Sequence, residues 1–593
     1  MHYATYCIEV KGAILLTNNN NSYEATMTDT TEKKRSAPKP SRLRIGRRYR
    51  PSRLEGPYDA LVIGSGIGGL TTAAMLSATG KKVLVLEQHY TAGGYTHAYD
   101  RNGYEWDVGV HYIGDVGQHP TMTRKIFDFI SGHQLHWAPM DEIYDRICIG
   151  EEQFDLRAGR QNFIDELTKH FPNERENIER YLGRLNEVAK SMQRLALEKL
   201  LPSWCTPLVR LWRKLRDPSW LNKTTREVLG EITQNEKLIS VLTGQWGDNG
   251  MTPAESSFII HALIAKHYLY GGYYPVGGAS KISETIIPQI QASGGEVFTY
   301  ATVETVLLDG NHVRGVRMSD GTEIEAPLVI SGAGVFNTFE KLLPQSASER
   351  LGYTRDLKTV NRSMSHLCLY IGLEKTAEEL QLPKTNYWLY TSDNYEKDMQ
   401  EFLQDSSKDI PLTYISFPSA KDPTFTQRYP GRATIEIVAP ANYDWFTQWH
   451  EKPWGKRGDD YEALKEEFSQ RLLEHLYKHF PHLRGQIDYY ELSTPLSTDY
   501  FCFYPQGEIY GLDHDPNRFE QSWLRPQTRL KGLYLTGQDV MSCGVAGAMI
   551  SGVLTAQSIL GWRQGAKLMS QVFTSKPEQK GNNEAEGLSK ATG

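Results

Sequence analysis

A glycine-rich turn near the start of the chain has the spacing of a phosphate-binding site. It reads GSGIGG, with Gly64, Gly66, Gly68 and Gly69, and it follows the apolar run YDALVI at 58–63. In a GxGxxG turn the first glycine allows the sharp bend, the second lets the backbone approach a pyrophosphate, and the third lets helix pack on strand. A helix that begins here would offer free N–H groups and the positive end of its dipole to phosphates. The spacing therefore predicts a dinucleotide site.

A carboxylate follows the second apolar run, at the position that a dinucleotide site requires. A second apolar run, KVLVL at 82–86, is followed by Glu87 and Gln88. An acidic residue about 20 positions after the glycines accepts hydrogen bonds from ribose hydroxyls. Because a helical pattern separates the two apolar runs, we predict a strand, helix, strand unit. The glycines alone do not distinguish FAD from NAD.

Potential metal ligands are scattered along the chain. The histidines show no ligand spacing, and no two cysteines form a CxxC pair. We therefore expect no metal site and no disulfide framework, which suits a reducing compartment. The cysteines are Cys7, Cys148, Cys205, Cys368, Cys502 and Cys543.

Length and composition predict a soluble protein of more than one domain. A chain of 593 residues exceeds what one hydrophobic core supports. Hydrophobic residues make up 39% and charged residues 23%, as is usual for globular proteins. The net charge of −6 argues against nucleic acid as a partner.

Apolar periodicity predicts the elements that would position these groups. Residues 120–240 are predicted to be mostly helical, and 296–330 to form a meander of strands joined by Asp-Gly turns. Residues 365–520 mix strands and helices. The segment GLYLTG, at 532–537, is predicted to be one more strand before a glycine-rich helix start.

Both ends of the chain are predicted to be disordered tails, at 1–56 and 567–593. The first tail has an Arg-rich stretch at 42–53, which is either solvated or in contact with anionic lipid. We expect no signal peptide and, since no apolar run reaches about 18 residues, no transmembrane helix. A cytoplasmic location follows as an expectation, with peripheral contact to a membrane.

One segment, at 204–220, combines basic and apolar residues at helical spacing. Leu208, Leu211, Trp212 and Leu215 fall on one face, and the arginines and lysine fall largely elsewhere. Such a helix suits the interface of a membrane. It would equally suit a helix that faces the protein core.

Several stretches resemble the retinol saturase branch of the phytoene desaturase and carotenoid isomerase superfamily. They include EQHYTAGG, GVHYIG, HALIAKHYLYGGYYPVGGAS, GEIYGLDHD and LYLTGQDVMSCG. The resemblance extends over nearly the whole predicted folded part and implies FAD as the cofactor. It implies that a strand contacts adenine, and that the last motif meets the pyrophosphate, the ribityl chain and the flavin ring. The residues that it adds to the cofactor site are Gly93, Gly94, Val303, Gly537, Asp539, Gly544, Val545 and Ala546.

The same resemblance implies an α/β fold with a Rossmann-like, two-dinucleotide-binding FAD domain that is discontinuous in sequence. This domain would comprise 57–140, 268–345 and 525–566. An inserted substrate domain of mixed α+β structure would comprise 141–267 and 346–524.

The implied chemistry is flavin-dependent oxidoreduction at a C=C bond of an apolar conjugated polyene, a retinoid or a carotenoid. Saturating such a bond needs a hydride on one carbon and a proton on its neighbour. NAD(P)H is a candidate reductant, but the identity of the electron donor stays open. Candidate proton donors on glycine-bounded segments are His111, Tyr112 and Tyr274, followed by His261, His267 and Tyr273.

Other activities use a similar fold. Carotenoid cis–trans isomerases and phytoene-type desaturases need the same flavin and an apolar tunnel, so the sequence does not separate them from a saturase. Prenyl-protein carriers of the GDP-dissociation inhibitor type share the fold without a flavin, but their nucleotide motifs are degenerate, whereas the motifs here are intact. The expected partners are a polyene substrate, an electron donor and a membrane surface.

Overall fold

The computed structural model describes residues 41–117, 121–201 and 205–576. The expectations for the first 40 residues and for 577–593, including the absence of a signal peptide, concern residues outside these ranges. All described residues belong to one compact unit.

The strands are short, and most of them are buried. They are β1 (Arg47–Arg48), β2 (Ala60–Ile63), β3 (Val83–Leu86), β4 (Ala98–Arg101), β5 (Tyr104–Asp107), β6 (Trp137–Pro139), β7 (Ile143–Ile149), β8 (Glu152–Arg157), β9 (Tyr273–Pro275), β10 (Glu296–Thr299), β11 (Val303–Asp309), β12 (His312–Met318), β13 (Glu323–Glu325), β14 (Val329–Ser331), β15 (Ser365–Leu373), β16 (Asn386–Tyr390), β17 (Leu412–Ser416), β18 (Ala433–Ala441), β19 (Ile487–Ser493) and β20 (Leu533–Leu535).

The helices range from single turns to a helix of 31 residues. They are α1 (Ile67–Ser77), α2 (Met122–Ile130), α3 (Arg160–His170), α4 (Arg175–Leu200), α5 (Thr206–Arg216), α6 (Thr225–Ile232), α7 (Glu236–Leu242), α8 (Phe258–Tyr268), α9 (Lys281–Gln291), α10 (Gln345–Arg350), α11 (Tyr353–Asp356), α12 (Tyr395–Gln404), α13 (Pro418–Lys421), α14 (Phe425–Arg428), α15 (Asp459–His479), α16 (Pro495–Cys502), α17 (Pro516–Phe519) and α18 (Gly544–Thr574).

Six parallel strands form the first sheet, in the order β1-β10-β3-β2-β14-β20. The central strands β2 and β3 read ALVI and VLVL, and all their residues are buried, as in a sheet covered on both faces. Helix α1 joins these two parallel neighbours and packs against α9 and α18. The predicted strand, helix, strand unit is confirmed.

Seven strands form the second sheet, in the order β19-β15-β18-β17-β16-β7-β8. One apolar core, from α3 to α8, packs on one face, and another, which includes α12 and α15, packs on the other. The predicted meander is also present, because β11, β12 and β13 form an antiparallel sheet.

The prediction that 120–240 is mostly helical is wrong for residues 137–157. This stretch forms β6, β7 and β8, and β7 pairs in parallel with β16. The partner strand β16 lies far along the chain, at Asn386–Tyr390. A local pattern does not reveal pairing with so distant a strand.

The predicted tails are too long at both ends. Strand β1 pairs with β10, and Arg47 forms an ion pair with Glu296 at 3.2 Å, so residues 41–56 belong to the fold. The guanidinium of Arg48 lies 4.5 Å from the ring centroid of Tyr300. An edge strand of two arginines carries no apolar signal, which is why the sequence suggested a tail. At the other end, α18 continues to Thr574.

Helix α18 is, among the described residues, the one helix long and apolar enough to cross a membrane by length and composition. Half of its apolar window is buried inside the protein. There it packs on α1 so closely that a Cβ on Gly552 would lie 2.7 Å from the side chain of Thr71. Its place in the core accounts for its apolar composition, and Gly561, with φ +70°, kinks it.

Candidate active site

A cavity of about 1000 Å³ is lined by residues of both sheets and of the helical region. The glycine turn after β2 contributes to it, as do α4, α8, β15, β17 and β18. Its volume lies at the upper end of the range of ligand sites, roughly 300–1000 Å³. One space therefore joins the predicted dinucleotide site to the substrate region.

The glycine turn is shaped to receive a phosphate. Gly64 has φ +92°, which favours glycine. A Cβ on Gly69 would lie 2.2 Å from the carbonyl oxygen of Gly64, and one on Gly68 would lie 2.7 Å from Cα of Gly537. A Cβ on Gly66, by contrast, would meet nothing within 4 Å, because Gly66 borders the cavity at the start of α1. The space beside Gly66 is where a pyrophosphate fits.

Glu87 is held by the glycine turn itself. Its carboxylate accepts hydrogen bonds from the N–H and the hydroxyl of Ser65, both at 2.8 Å, and from the N–H of His89 at 2.8 Å. A carboxylate offers about four acceptor positions, so Glu87 retains capacity for a ribose hydroxyl. Both Glu87 and Gln88 line the cavity.

Most of the predicted cofactor residues line this one cavity. They are Gly64, Gly66, Gly68, Gly69, Glu87, Gln88, Gly94, Val303, Gly537, Gly544, Val545 and Ala546.

Two predicted cofactor residues stand behind the lining. Gly93 donates its N–H to the hydroxyl of Ser65 at 3.0 Å. Asp539 accepts a hydrogen bond from the N–H of Val335 at 2.8 Å, and within the described residues its other oxygen has no partner. One oxygen of Asp539 thus holds the turn after β14, and the expectation that Asp539 meets the cofactor stays a prediction.

The groups around the cavity fit FAD. Gly537 and Gly544 have φ +99° and +78°, and a Cβ on either would meet nothing within 4 Å. These two glycines and Gly66 all leave open space that borders the same cavity, where a dinucleotide can approach the backbone. The start of α18 adds free N–H groups to those of α1.

His111 lies in the loop after β5 and lines the cavity. Its Nδ1 is 2.9 Å from Oε2 of Glu436 on β18. Burial, with the Lys421 ammonium acting in the same direction, lowers the pKa of His111 to about 3. The imidazole is therefore neutral at physiological pH. Its Nε2 makes no hydrogen bond to the described part of the protein, so it is the ring nitrogen available to the cavity.

Tyr112 also lines the cavity, but its hydroxyl is turned toward carboxylates. It donates to Asp145 at 2.9 Å and approaches Asp248 at 3.3 Å. Burial and the neighbouring carboxylates raise the pKa of Tyr112 well above its usual range. Burial raises the pKa of Asp145 to about 6, while hydrogen bonds from Asn386, Tyr112 and Gln245 oppose this rise. Tyr112 thus anchors a buried polar cluster.

Tyr274 is not part of the cavity lining. Its hydroxyl donates to Asp107, which is buried at the end of β5. The prediction that Tyr274 donates a proton to substrate is corrected for this reason. His261 is also away from the lining, since it is buried against the hydroxyl of Tyr181 at 3.0 Å. His267 does line the cavity, and its Nε2 accepts the N–H of Gly114 at 2.8 Å.

A buried cluster of charged residues behind His111 was not predicted from the sequence. It contains Glu436 on β18, Lys421 at the end of α13 and Asp107. The Lys421 ammonium donates to the carbonyl of His111 and the hydroxyl of Ser416, at 2.9 and 2.8 Å. No motif marks these residues, because each stands alone in a strand or a short helix. The one available signal was a charged residue within an otherwise apolar strand, as in ATIEIVAPA.

The far wall of the cavity is apolar and reaches the surface. Met192, Ala196, Leu197 and Leu200 of α4 line it, and Leu197 is also 37% exposed. Helix α5 packs on the same helix, α4. The exposed fractions of its apolar residues are 71% for Leu208, 58% for Leu211, 43% for Trp212 and 77% for Leu215.

The core-facing interpretation of the segment 204–220 is therefore wrong for the described residues, which exclude Trp204. Arg213 points inward, where it pairs with Glu198, whereas Lys214 is exposed and pairs with Glu520 at 3.3 Å.

The fold is that of a dinucleotide-binding oxidoreductase. It has a parallel sheet with a glycine-rich turn, a carboxylate after the second strand of the unit, and a second glycine motif near the C-terminus of the chain. Three comparisons agree. The sequence profile of flavin containing amine oxidoreductases matches residues 67–560. All-trans-retinol 13,14-reductase of Danio rerio is 39% identical over 555 residues, which cover 90% of each chain. Chloroplastic prolycopene isomerase of Arabidopsis thaliana is 26% identical over 85% of this chain and 83% of its own.

Cyclohexylamine oxidase from Brevibacterium oxydans shares the fold, with a TM-score of 0.55 at 16% identity, over 87% of this chain and 100% of its own. The chain belongs to the flavin containing amine oxidoreductase family and, within it, to the homologues of all-trans-retinol 13,14-reductase. It is an FAD-dependent oxidoreductase, as predicted, and the predicted α/β fold is confirmed.

Proposed function

We propose that this enzyme saturates one C=C bond of an apolar conjugated polyene alcohol, in the manner that the name of its Danio rerio relative describes. The observation that carries the proposal is the continuity of the cavity. One space is bordered by the phosphate turn at Gly66, by His111 and by the apolar wall of α4. A long apolar substrate fits beside the cofactor in such a site, away from water.

The protein's own groups position the reaction and supply its proton. FAD, when bound in its reduced form, would supply a hydride for one carbon of the double bond. His111 lies in the lining and offers its Nε2 to the neighbouring carbon. The apolar residues of α4 and α8 exclude water, which protects the reduced cofactor from side reactions.

The substrate is proposed to enter from a membrane surface. Helix α5, with its exposed apolar face, packs on α4, whose partly exposed Leu197 lines the cavity. Trp562, after the kink of α18, is 83% exposed. Arg216 and Lys214 flank the apolar face of α5 and suit anionic headgroups. An interfacial α5 would place the cavity opening where a lipid-soluble polyene is dissolved. The Arg-rich stretch at 42–53 contributes less, because Arg47 and Arg48 are engaged within the fold.

The test is the mass of the product. Purified FAD-loaded enzyme is incubated under reducing conditions with all-trans-retinol and, separately, with lycopene isomers. A gain of two hydrogens on retinol supports the saturase, and NADH, NADPH and dithionite in parallel identify the class of electron donor. Unchanged mass with altered geometry would instead support an isomerase, for which the similarity to prolycopene isomerase is the favouring observation. A loss of two hydrogens would support a desaturase.

A further inference from the structure

The carboxyl group behind His111 has an unusual position for an acidic side chain. Glu436 lies in the middle of β18, and none of its side chain is accessible to solvent. One oxygen, Oε2, is 2.9 Å from Nδ1 of His111, and the other accepts the N–H of Asp107 at 2.6 Å. The hydrogen bond to Nδ1 therefore connects Glu436 to the cavity through the imidazole of His111.

The surroundings of Glu436 favour its protonated form. Burial raises its pKa to about 8, although the Lys421 ammonium and the Asp107 N–H act in the opposite direction. Burial and repulsion from Glu436 also raise the pKa of Asp107 well above its usual range. The titratable groups that face Glu436 from the neighbouring elements are Asp107, His111, Tyr274, Cys368, Tyr370 and Lys421.

We propose that Glu436 is the proton reservoir that recharges His111 each time His111 gives a proton to the substrate. This proposal rests on the proposed function and deepens it. A protonated Glu436 donates its O–H to Nδ1, which leaves the ring proton of the neutral imidazole on Nε2. His111 is the catalytic residue, and Glu436 acts through it as a positioning residue.

The proton transfers balance. The substrate gains a hydride on one carbon, from FAD reduced by a two-electron donor such as NAD(P)H or dithionite. Its neighbouring carbon gains the Nε2 proton of His111. Nδ1 takes the proton of Glu436 as the Nε2–H bond breaks, so the imidazole stays neutral and Glu436 becomes a carboxylate beside Lys421. A proton from solvent then enters at Nε2 as the Nδ1 proton returns to Glu436, which restores both groups, and each turnover consumes two electrons and two protons in all.

The decisive variant is Glu436→Gln, which keeps the size of the side chain and can still donate to Nδ1 but cannot release a proton. We expect the FAD content to be retained and the saturation rate to fall by roughly 10²-fold, the usual contribution of general acid catalysis. The parent rate should decline as pH rises past the Glu436 pKa of about 8, and the variant should lose that decline. Glu436→Asp should restore part of the rate and the decline.

Glu105→Gln is the matched control. Glu105 is a buried glutamate on β5, but it pairs with Arg428 and Tyr429, at 2.7 and 2.9 Å, instead of His111. Its substitution should lower stability without changing the pH profile. Infrared difference spectra of the FAD-loaded enzyme between about pH 6 and about pH 9.5 add a readout independent of turnover. One component of the C=O band of protonated carboxylic acids should disappear with rising pH in the parent and be missing from the Glu436→Gln difference.

Two results would overturn the proposal. The first is a Glu436→Gln enzyme with the parental rate and pH profile. The second is an infrared difference that Glu436→Gln leaves intact. If the parent saturates retinol and either result appears, the reservoir alone is wrong. If the parent saturates no polyene, the proposed function is wrong, and the proposal for Glu436, which depends on it, is wrong as well.

Discussion

Arg213 of α5 donates a hydrogen bond to Glu198 of α4 across 2.8 Å, and both side chains are buried. This pair fixes the rotation of α5 about its axis. With the basic residue held inward, Leu208, Leu211 and Leu215 can only face solvent. Removing one partner of a buried pair costs roughly 3–5 kcal/mol, so α5 is firmly held with its apolar face outward.

The double variant Trp212→Glu, Leu215→Glu should lose binding to anionic phospholipid vesicles, because it places charge on the exposed apolar face. Flotation with vesicles measures the bound fraction. Binding by the parent should weaken only partly at high salt, since the apolar contact is not screened. Tyr500→Glu, at another exposed aromatic residue, is the control and should still float. Equal flotation of the double variant and the parent would mean that α5 does not contact the membrane.

Gly66→Val should abolish FAD binding and leave the apoprotein folded. A Cβ on Gly66 meets no protein atom within 4 Å, and the valine side chain extends from it into the space beside the phosphate turn. Flavin absorbance of the purified protein and thermal unfolding of the apoprotein separate the two effects.

Gly68→Ala is the matched variant for comparison. Its Cβ would lie 2.7 Å from the backbone of Gly537, so it should destabilise even the apoprotein, by roughly 1–3 kcal/mol. A Gly66→Val protein that keeps a full complement of FAD would show that the phosphate turn has been misassigned.

Tyr112→Phe should lower stability more than it lowers the rate. The hydroxyl that it removes donates hydrogen bonds to Asp145 and Asp248. Leaving these carboxylates with one partner fewer should lower the free energy of unfolding by roughly 1–3 kcal/mol. Denaturant unfolding and single-turnover kinetics on the FAD-loaded enzyme measure the two quantities. A drop in the rate of roughly 10²-fold at parental stability would instead make Tyr112 the proton donor.

Stability should depend on pH through Glu436. Its folded pKa, about 8, lies above the unfolded value, about 4.3. The folded state therefore binds more protons between these values, and the contribution is complete below the lower pKa and lost as pH rises through the upper one. Melting temperatures from about pH 5 to about pH 9 should fall less steeply for Glu436→Gln than for the parent. Parallel curves would indicate that Glu436 is already ionised in the folded protein.

Much of the cofactor site could be predicted because its determinants are local. Gly64, Gly66 and Gly69 are needed by one turn, and Glu87 follows the next strand, so short-range spacing is sufficient to find them. Asp539 shows the limit of such reasoning. Its position in the motif is right, but its side-chain direction depends on Val335, which belongs to another strand turn.

The sequence by itself determined the class of cofactor, the α/β fold and the amphipathic character of α5, because each depends on residues close together in the chain. Tertiary structure alone decided which face of α5 is exposed, since Glu520, far along the chain, pairs with the buried Arg213. It also assembled His111, Lys421 and Glu436 from separate elements into one buried cluster. Charges in an apolar interior act over distances set by the packing of the chain, and no spacing in the sequence records those distances.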